Sequence, residues 1–139
     1  MKMHPKMRWG CVALVIVAVL VGGFVLTDSA PAPSYPELKA SCDDALSKSP
    51  RSETLDAWMN ANHISSRRRT EPLEDSFKDM LVSNGISNAA VNRAATCTYF
   101  EGLHVRGGFP YRHVAYGYFV FSADGSLIDY SIHDICYGM

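Results

Sequence analysis

Apolar residues are unevenly distributed along the chain, and the most apolar stretch lies near the N-terminus. The segment from Trp9 to Leu26 has 18 residues and no charged side chain. As an α-helix it would extend about 27 Å, close to the ~30 Å hydrocarbon core of a bilayer. Lys2, Lys6 and Arg8 precede it, and basic residues stay on the cytoplasmic side. The pattern predicts a cytoplasmic basic segment at residues 1–8 and a transmembrane signal-anchor at residues 9–26.

A cleaved signal peptide is the alternative interpretation of this segment. Small residues ending at Gly23 or Ala32 are compatible with cleavage, although Pro33 would follow the second site. The apolar run is longer than the ~7–15 residues of a usual signal-peptide core. Cys11 lies at the start of the run, whereas a lipidated cysteine would lie at its end. Both interpretations place the rest of the chain in the periplasm or outside the cell, and the anchor makes a single-pass inner-membrane protein.

A proline-rich linker at residues 27–36 is followed by segments with helical periodicity. Its three prolines disfavour helix and sheet and keep the chain extended. Apolar residues then recur every three or four positions, which is the period of one helical face. Three helices are predicted, at about residues 37–47, 50–62 and 70–83. Gly85 is expected to end the last one in a left-handed conformation, with Ile86 folding back. The apolar stripes consist of Leu38, Cys42, Ala45, Leu46, Leu55, Trp58, Met59, Leu73, Phe77, Met80 and Leu81.

The last third of the chain changes from helical periodicity to residues typical of strands. Tyr, Phe, Val, Ile and Thr dominate there, and these residues suit a pleated surface. Three strands are predicted, at about residues 94–104, 112–122 and 126–136. Helices followed by an antiparallel meander form an α+β fold, with two to three helices packed on one face of a three-stranded sheet. Residues 37–139 are expected to be this single extracytoplasmic domain.

The last predicted hairpin contains an Asp124-Gly125 turn signal that permits two registers. A two-residue turn would pair Ala123 with Ser126, whereas a three-residue turn with a left-handed Gly125 would pair Ser122 with Ser126. Because side chains alternate along a strand, the three-residue turn separates apolar from polar residues better. One face then carries Val114, Tyr116, Tyr118, Val120, Ile128, Tyr130 and Ile132. The other face carries Ala115, Gly117, Phe119, Asp129, Ser131 and His133.

Export changes the expectation for the cysteines, because disulfides persist outside the cytoplasm. Cys42, Cys97 and Cys136 are available, whereas Cys11 lies in the membrane segment. The strands of Cys97 and Cys136 are separated by the middle strand, so their backbones should be about 10 Å apart. A disulfide requires Cα atoms within about 7 Å. The favoured bridge is Cys42–Cys136; the alternatives are Cys42–Cys97, Cys97–Cys136 and no bridge.

Charge argues against one class of partner and identifies one candidate surface. After residue 30 the chain has ten basic and thirteen acidic residues, a net charge of −3. Nucleic-acid binding needs a strongly basic surface and is not expected. The run Arg67, Arg68, Arg69 falls in a predicted polar loop at residues 63–69. Such a run is ordinarily a solvated loop, and its functional interpretation is contact with an acidic partner or anionic headgroups.

The connection between the first two strands is a second candidate surface. Residues 102–111 are glycine-rich and carry His104, Arg106, Phe109 and Tyr111. Binding residues concentrate on loops that a rigid scaffold holds in place. These four residues and the three arginines are therefore the candidate binding residues.

The sequence offers little support for catalysis or metal binding. Paired carboxylates, a phosphate-binding loop and a Gly-x-Ser-x-Gly pattern are missing from the sequence. His133 and Cys136 are three residues apart on a predicted strand, so they point to opposite faces and cannot share a metal ion. Cys97 with His104 or His113 is a conceivable nucleophilic pair, but nothing in the sequence activates the thiol. No catalytic residue, metal or cofactor is expected.

The order of elements resembles small exported envelope domains, typified by the outer-membrane assembly lipoprotein BamE and by β-lactamase-inhibitor modules. The resemblance covers residues 37–136 and lies in element order, and the chain lacks the lipidation cysteine of that lipoprotein. It implies a binding module rather than an enzyme. The expected function is a membrane-tethered protein-binding domain for envelope maintenance, or an inhibitor or immunity protein. The alternative is a small extracytoplasmic hydrolase or thiol-redox enzyme that uses Cys97 or a histidine.

Overall fold

The computed structural model describes residues 31–138. In chain order the elements are α1 (Tyr35–Lys48), α2 (Ser52–Ala61), β1 (Arg67–Thr70), α3 (Asp75–Ser83), α4 (Asn88–Val91), β2 (Thr96–Val105), β3 (Arg112–Phe121) and β4 (Leu127–Tyr137). Among these described residues, none of the helices has the length and apolar character that a bilayer crossing requires. The segment predicted to span the membrane, residues 9–26, lies outside them.

The α+β class is confirmed, and the sheet has four antiparallel strands in the order β1-β2-β3-β4. β2, β3 and β4 are the three predicted strands, displaced by at most two residues. The additional strand is β1, where Arg69 pairs with Cys97 of β2. The prediction of a polar loop at residues 63–69 is wrong for Arg67, Arg68 and Arg69, because these residues belong to β1. All four residues of β1 are exposed, and charged side chains are common on edge strands because they discourage further pairing. An apolar alternation therefore does not mark this strand.

The helices cover both faces of the sheet, so the prediction of one covered face is wrong. We call the face under α1 and α2 the first face and the face under α3 and α4 the second face. Buried residues of the first face include Leu38, Cys42, Leu46, Leu55, Trp58, Met59, Phe100, Phe119, Phe121 and Ile132. Buried residues of the second face include Phe77, Leu81, Ile86, Ala90, Val91, Cys97, Tyr99, Tyr118 and Val120. Because β3 is apolar on both sides, each face must be covered to remove it from water.

Local signals explain where the helices begin and end. Ser34 and Glu37 form a capping box, in which Ser34 N–H donates to Glu37 Oε2 at 2.7 Å. α1 therefore begins at Tyr35, two residues before the predicted start. α3 begins at Asp75 rather than near residue 70, because Thr70 belongs to β1. The end of α3 is as predicted, since Gly85 has φ +92° and the N–H of the buried Ile86 donates to Leu81 O at 3.1 Å.

The turn between β3 and β4 is the predicted three-residue turn. Ser122 N–H donates to Ser126 O at 2.9 Å, and Gly125 has φ +79°. The carboxylate of Asp124 accepts hydrogen bonds from the Ser122 hydroxyl and from the N–H and hydroxyl of Ser126. These hydrogen bonds, that of Ser122 first, lower the pKa of Asp124 to about 2. The prediction of a three-residue turn from the Asp124-Gly125 sequence is therefore confirmed.

The register beyond the turn differs from the prediction by one residue. Phe121 pairs with Leu127, but Val120 pairs with Asp129, so Ile128 is an unpaired bulge residue. Tyr130 consequently lies opposite Phe119, with their rings stacked 5.7 Å apart. The predicted grouping of Tyr118, Tyr130 and Ile132 on one face is wrong: Tyr118 shares the second face with Asp129 and Ser131, while Tyr130 and Ile132 face α1. A bulge of one residue moves every later side chain to the other face.

Candidate functional site

The two ends of the sheet are covered unequally by the helices. We call the end with the β3–β4 turn the covered end. We call the other end, which comprises the β2–β3 loop at residues 106–111 and the adjoining ends of the strands, the open end. Phe119, Val120 and Phe121 near the covered end have no exposed surface. Cys136 and Tyr137 at the open end are exposed. The side chains available for contact therefore concentrate at the open end.

Four large apolar side chains are exposed in the part of the chain that the structure describes, and all four belong to the open end. Phe109 is 89% exposed, Tyr111 55%, Ile135 39% and Tyr137 46%. The register joins the two segments, because Tyr137 pairs with Arg112 next to the β2–β3 loop. Exposed apolar residues that cluster in this way are a feature of interaction surfaces. We call these four residues the apolar patch.

A ladder of aromatic rings on the second face connects the patch to the buried core. Tyr116 and His133 are paired across β3 and β4, and their rings are stacked 5.7 Å apart at 11°. The ring of His133 also stacks on Tyr118, 6.1 Å away. The hydroxyls of Tyr116 and Tyr137 are 3.2 Å apart. These contacts attach the exposed Tyr137 to a rigid support.

A surface groove lies beside this ladder. Its volume is about 450 Å³, and it is lined by Ser65, Ser66, Arg67, Tyr99, Phe100, Glu101, Gly102 and Tyr116. Tyr118 OH donates to Glu101 Oε1 at 3.2 Å from inside the sheet. Burial, the charge of Glu101 and this hydrogen bond together raise the pKa of Tyr118 well above its usual range. The hydroxyl of Tyr118 is thereby held in its neutral form as a hydrogen-bond donor.

The first face of the open end holds three side chains with complementary chemistry. His113 Nδ1 is 3.0 Å from Asp134 Oδ2, and His113 Nε2 is 3.7 Å from Cys136 Sγ. His113 pairs directly with Cys136 across the strands, and Asp134 precedes Cys136 by two positions, so all three share one face. We call them the thiol array. The imidazole stands between a carboxylate and a thiol, the arrangement that activates a sulfur nucleophile.

The bulge at Ile128 is what assembles this array. A regular continuation of the predicted register would place His113 opposite Ile135, whose side chain points away from Asp134. The extra residue brings His113 opposite Cys136 instead. Sequence reasoning missed the array for this reason. The available signal was the presence of a histidine and a cysteine near the open ends of two neighbouring strands.

The glycines of the β2–β3 loop fit closely around the array at one position. A Cβ atom placed on Gly107 would lie 1.8 Å from Cδ2 of His113, whereas one on Gly108 would meet nothing within 4 Å. Of the two glycines of the loop, Gly107 therefore lies against the imidazole ring and Gly108 does not. The contact restrains the ring in the orientation that reaches both Asp134 and Cys136.

The seven predicted binding residues fall into two separate groups. His104, Arg106, Phe109 and Tyr111 are exposed at the open end. The connection itself is shorter than the predicted 102–111, because residues up to Val105 belong to β2. Arg106 is paired there with Glu37 of α1 at 3.1 Å.

The arginine run lies on β1 and is largely occupied with structural contacts. Arg68 donates to both carboxylate oxygens of Asp56, at 2.7 and 2.8 Å, and to the hydroxyl of the buried Thr98. The guanidinium of Arg69 lies 4.6 Å from the centre of the Phe77 ring. Only Arg67 of the three lines the groove. The run therefore tethers the edge strand to α2 and α3 rather than forming a separate charged loop.

The three cysteines of the described chain are free thiols, so the predicted Cys42–Cys136 disulfide is not formed in this structure. Cys42 and Cys97 are fully buried on opposite faces of the sheet. Burial raises the pKa of both thiols to about 12. Cys136 is exposed and is the only thiol of this part of the chain that a solute can reach directly.

Among residues 31–138, no group of three or more His, Cys, Asp and Glu side chains, the thiol array included, has an arrangement that could hold a metal ion. His133 lies on the second face and Cys136 on the first, as the alternation of the strand predicted. Comparison of the chain with protein-family models, with curated proteins and with solved structures found no match.

Proposed function

We propose that the chain is a membrane-tethered, extracytoplasmic domain that binds a protein partner through the apolar patch at its open end. The exposure of Phe109, 89%, is the observation that carries the proposal. When a partner covers an apolar ring that is exposed at the tip of a folded domain, removal of the ring from water stabilises the complex. Aromatic residues also dominate the binding energy of many protein interfaces. Phe109, Tyr111 and Tyr137 supply three such rings.

The alternative function is a hydrolase or thiol-redox enzyme that uses Cys97 or a histidine, and no single pocket of the described residues unites Cys97 with His104, His113 and His133. Cys97 is fully buried beneath α3 and α4. The groove beside Tyr116 is lined by Glu101 but by none of Cys97, His104, His113 and His133. His104 and His133 lie on the second face, whereas His113 lies on the first. This scatter favours a binding surface over a hydrolase of that design.

The tether is the part of the proposal that rests on sequence. Lys2, Lys6 and Arg8 before an uncharged run at residues 9–26 support an N-terminus in the cytoplasm and a domain on the opposite side. A reporter fused after Met139 should be active only outside the cytoplasm. Cytoplasmic activity of that fusion would contradict the proposed location, and mass spectrometry of the mature N-terminus distinguishes an anchor from a cleaved signal peptide.

Affinity capture from intact envelopes tests the binding surface. The wild-type chain should retain a protein that binds again when purified, and the double variant Phe109→Ala, Tyr111→Ala should lose it. Lys48→Ala is the matched control, because Lys48 is exposed at the far end of α1 and pairs only with Asp44 of its own helix. Equal capture by the wild type and the double variant would contradict the proposal. Failure of the wild type to retain a protein would also contradict it.

A further inference from the structure

Protein binding does not account for the arrangement of the thiol array. Binding through the apolar patch requires neither a thiol nor a base, yet the first face of the open end aligns Cys136, His113 and Asp134. In a neutral imidazole whose Nδ1–H donates to the Asp134 carboxylate, Nε2 is the acceptor. That second nitrogen, Nε2, is the one that faces Cys136 Sγ. The order carboxylate, imidazole, thiol is the order in which a proton moves off a nucleophile.

Accessibility separates Cys136 from the other cysteines of the domain. Cys42 and Cys97 have no exposed surface, while Cys136 is exposed between the patch residues Ile135 and Tyr137. The side chain of Cys136 points to the first face, whereas those of Ile135 and Tyr137 point to the second, so the thiol is reached from the side opposite to these two patch residues. Of the three thiols among residues 31–138, Cys136 alone combines a neighbouring base with access from solvent.

The position of Cys136 favours one class of reaction. Acyl transfer needs hydrogen-bond donors arranged around a developing oxyanion in a substrate cleft. Thiol–disulfide exchange needs an accessible thiolate and the approach of a second sulfur. Cys136 stands exposed near the end of an edge strand, and none of the array residues lines the groove beside Tyr116. These features suit exchange with a disulfide.

We infer that Cys136 is the nucleophile of a thiol–disulfide exchange site, with His113 as its base and Asp134 as the positioning residue, and that its substrate is a disulfide brought to the open end. His113 Nε2 takes the proton from Cys136 Sγ. The thiolate attacks one sulfur of the disulfide, a new S–S bond forms, and the substrate S–S bond breaks. The departing sulfur takes the proton from the imidazolium, which leaves a mixed disulfide on Cys136 and one free thiol.

Titratable and charged groups on neighbouring elements also influence how the reactivity of the thiol array depends on pH. Tyr35 of α1 donates to Ile132 O at 2.8 Å, and its pKa is raised by burial and by the charge of Asp134. The Arg106–Glu37 ion pair lies between the β2–β3 loop and α1. These groups belong to the elements that border the array, and their side chains remain in every variant used below.

The reaction of the full-length chain with 5,5′-dithiobis(2-nitrobenzoate), an aromatic disulfide, tests the inference without a partner. Every variant also carries Cys11→Ser and is measured in detergent, so that only Cys42, Cys97 and Cys136 can react with the reagent. One thiol per chain should react rapidly, and Cys136→Ser should abolish this rapid reaction. His113→Asn should slow the reaction about tenfold at pH 7, because a free cysteine is only a few per cent thiolate there and the base offsets that shortage. At pH 10, where thiols are ionised without help, the two rates should converge. Equal rates at pH 7 would overturn the inference.

Two controls separate a local effect from loss of the fold. An unfolded variant would expose Cys42 and Cys97, so the number of reactive thiols would rise from one to three. Gly107→Ala should slow the reaction at pH 7 as His113→Asn does, because its Cβ would displace the His113 ring. Gly108→Ala, which meets no neighbour, should react like the wild type. If these two glycine variants react at the same rate, the ring position is not what activates the thiol.

Glutathione disulfide and protein disulfides are distinguished in a second measurement. Non-reducing electrophoresis of envelopes shows a Cys136-dependent protein adduct if the substrate is a protein. Mass spectrometry shows a glutathione adduct on Cys136 if the substrate is the small disulfide. Either adduct supports the exchange site, and the absence of both from wild-type envelopes argues against it. Because the reaction with the aromatic disulfide needs no partner, failure of protein capture leaves that result unaffected.

Discussion

The two ends of the sheet are made of the same strands but have different physical roles. Near the covered end, Phe119 is fully buried; its ring stacks on Tyr130, 5.7 Å away, and contacts the tilted ring of Phe100, 6.2 Å away. At the open end, the side chains of Tyr111 and Tyr137 are about half exposed, at 55% and 46%. The free energy of folding is therefore concentrated where the helices meet the sheet. The open end can carry exposed and reactive groups because the covered end stabilises the fold.

The cysteines show the same difference between buried and exposed parts of the domain. Cys42 and Cys97 are enclosed, and burial raises the pKa of each thiol to about 12. Such thiols behave as small apolar side chains. Cys136 belongs to the same domain but reaches solvent beside a histidine. Location, rather than residue type, decides which thiol is available for chemistry.

The largest effect on stability should come from the core of the covered end. We expect Phe119→Ala to lower the free energy of unfolding by roughly 3–5 kcal/mol, because it removes a fully buried ring and leaves a cavity. Urea denaturation monitored by circular dichroism measures the change. A loss below about 1 kcal/mol, within the range of surface substitutions, would show that the core lies elsewhere.

A smaller loss should follow from adding one methyl group to β3 on the first face of the sheet. Gly117→Ala would place a Cβ 2.3 Å from Cε1 of the buried Phe100 ring. That ring is enclosed and cannot move freely, so we expect a destabilisation of roughly 1–3 kcal/mol. Gly108→Ala at the open end is the matched control and should leave the urea midpoint unchanged. A similar shift in both variants would remove the difference between the two ends.

Acid should act on the covered end through its turn. The pKa of Asp124 is lowered from 3.8 to about 2 by hydrogen bonds from Ser122 and Ser126. A lowered pKa contributes stability above about pH 4, and this contribution is lost as the pH falls towards 2. The wild type should therefore lose more stability than Asp124→Ala between pH 4 and pH 2.5. The melting temperatures of the two proteins at pH 4 and pH 2.5 measure this loss of stability. An equal decrease in both proteins would contradict the stabilising role of the turn.

The smallest effect on stability should come from the apolar patch. Phe109→Ala removes a ring that is 89% exposed, so the free energy of unfolding should change by less than about 0.5 kcal/mol. The same substitution, combined with Tyr111→Ala, is expected to abolish partner capture. Calorimetry of the single variant checks the first statement. A large drop in melting temperature would mean that Phe109 supports the fold rather than a partner.

Most elements could be predicted from sequence because their signals are local. The three long strands, the left-handed Gly85 and the three-residue turn at Gly125 depend on residues close together in the chain. The number of covered faces could not be predicted in the same way. β3 is apolar on both sides, so the alternation that normally identifies one buried face is absent from it.

The candidate site was harder to predict than the fold. Phe109 and Tyr111 were identified because aromatic residues in a glycine-rich connection are conspicuous. The thiol array depends on a bulge at Ile128, which shifts the pairing by one residue. β1 escaped prediction because its arginines show no apolar alternation, and its pairing with β2 becomes visible only in three dimensions.

Photocrosslinking in intact cells tests most directly whether the open end is the functional surface. A photoreactive phenylalanine analogue is placed at position 109 or 137 of the open end, and at position 48, beyond which the chain leads to the covered end. A partner bound through the apolar patch predicts one discrete protein adduct from positions 109 and 137 and none from position 48. An adduct from position 48, with none from positions 109 and 137, would contradict the assignment of the open end as the binding surface.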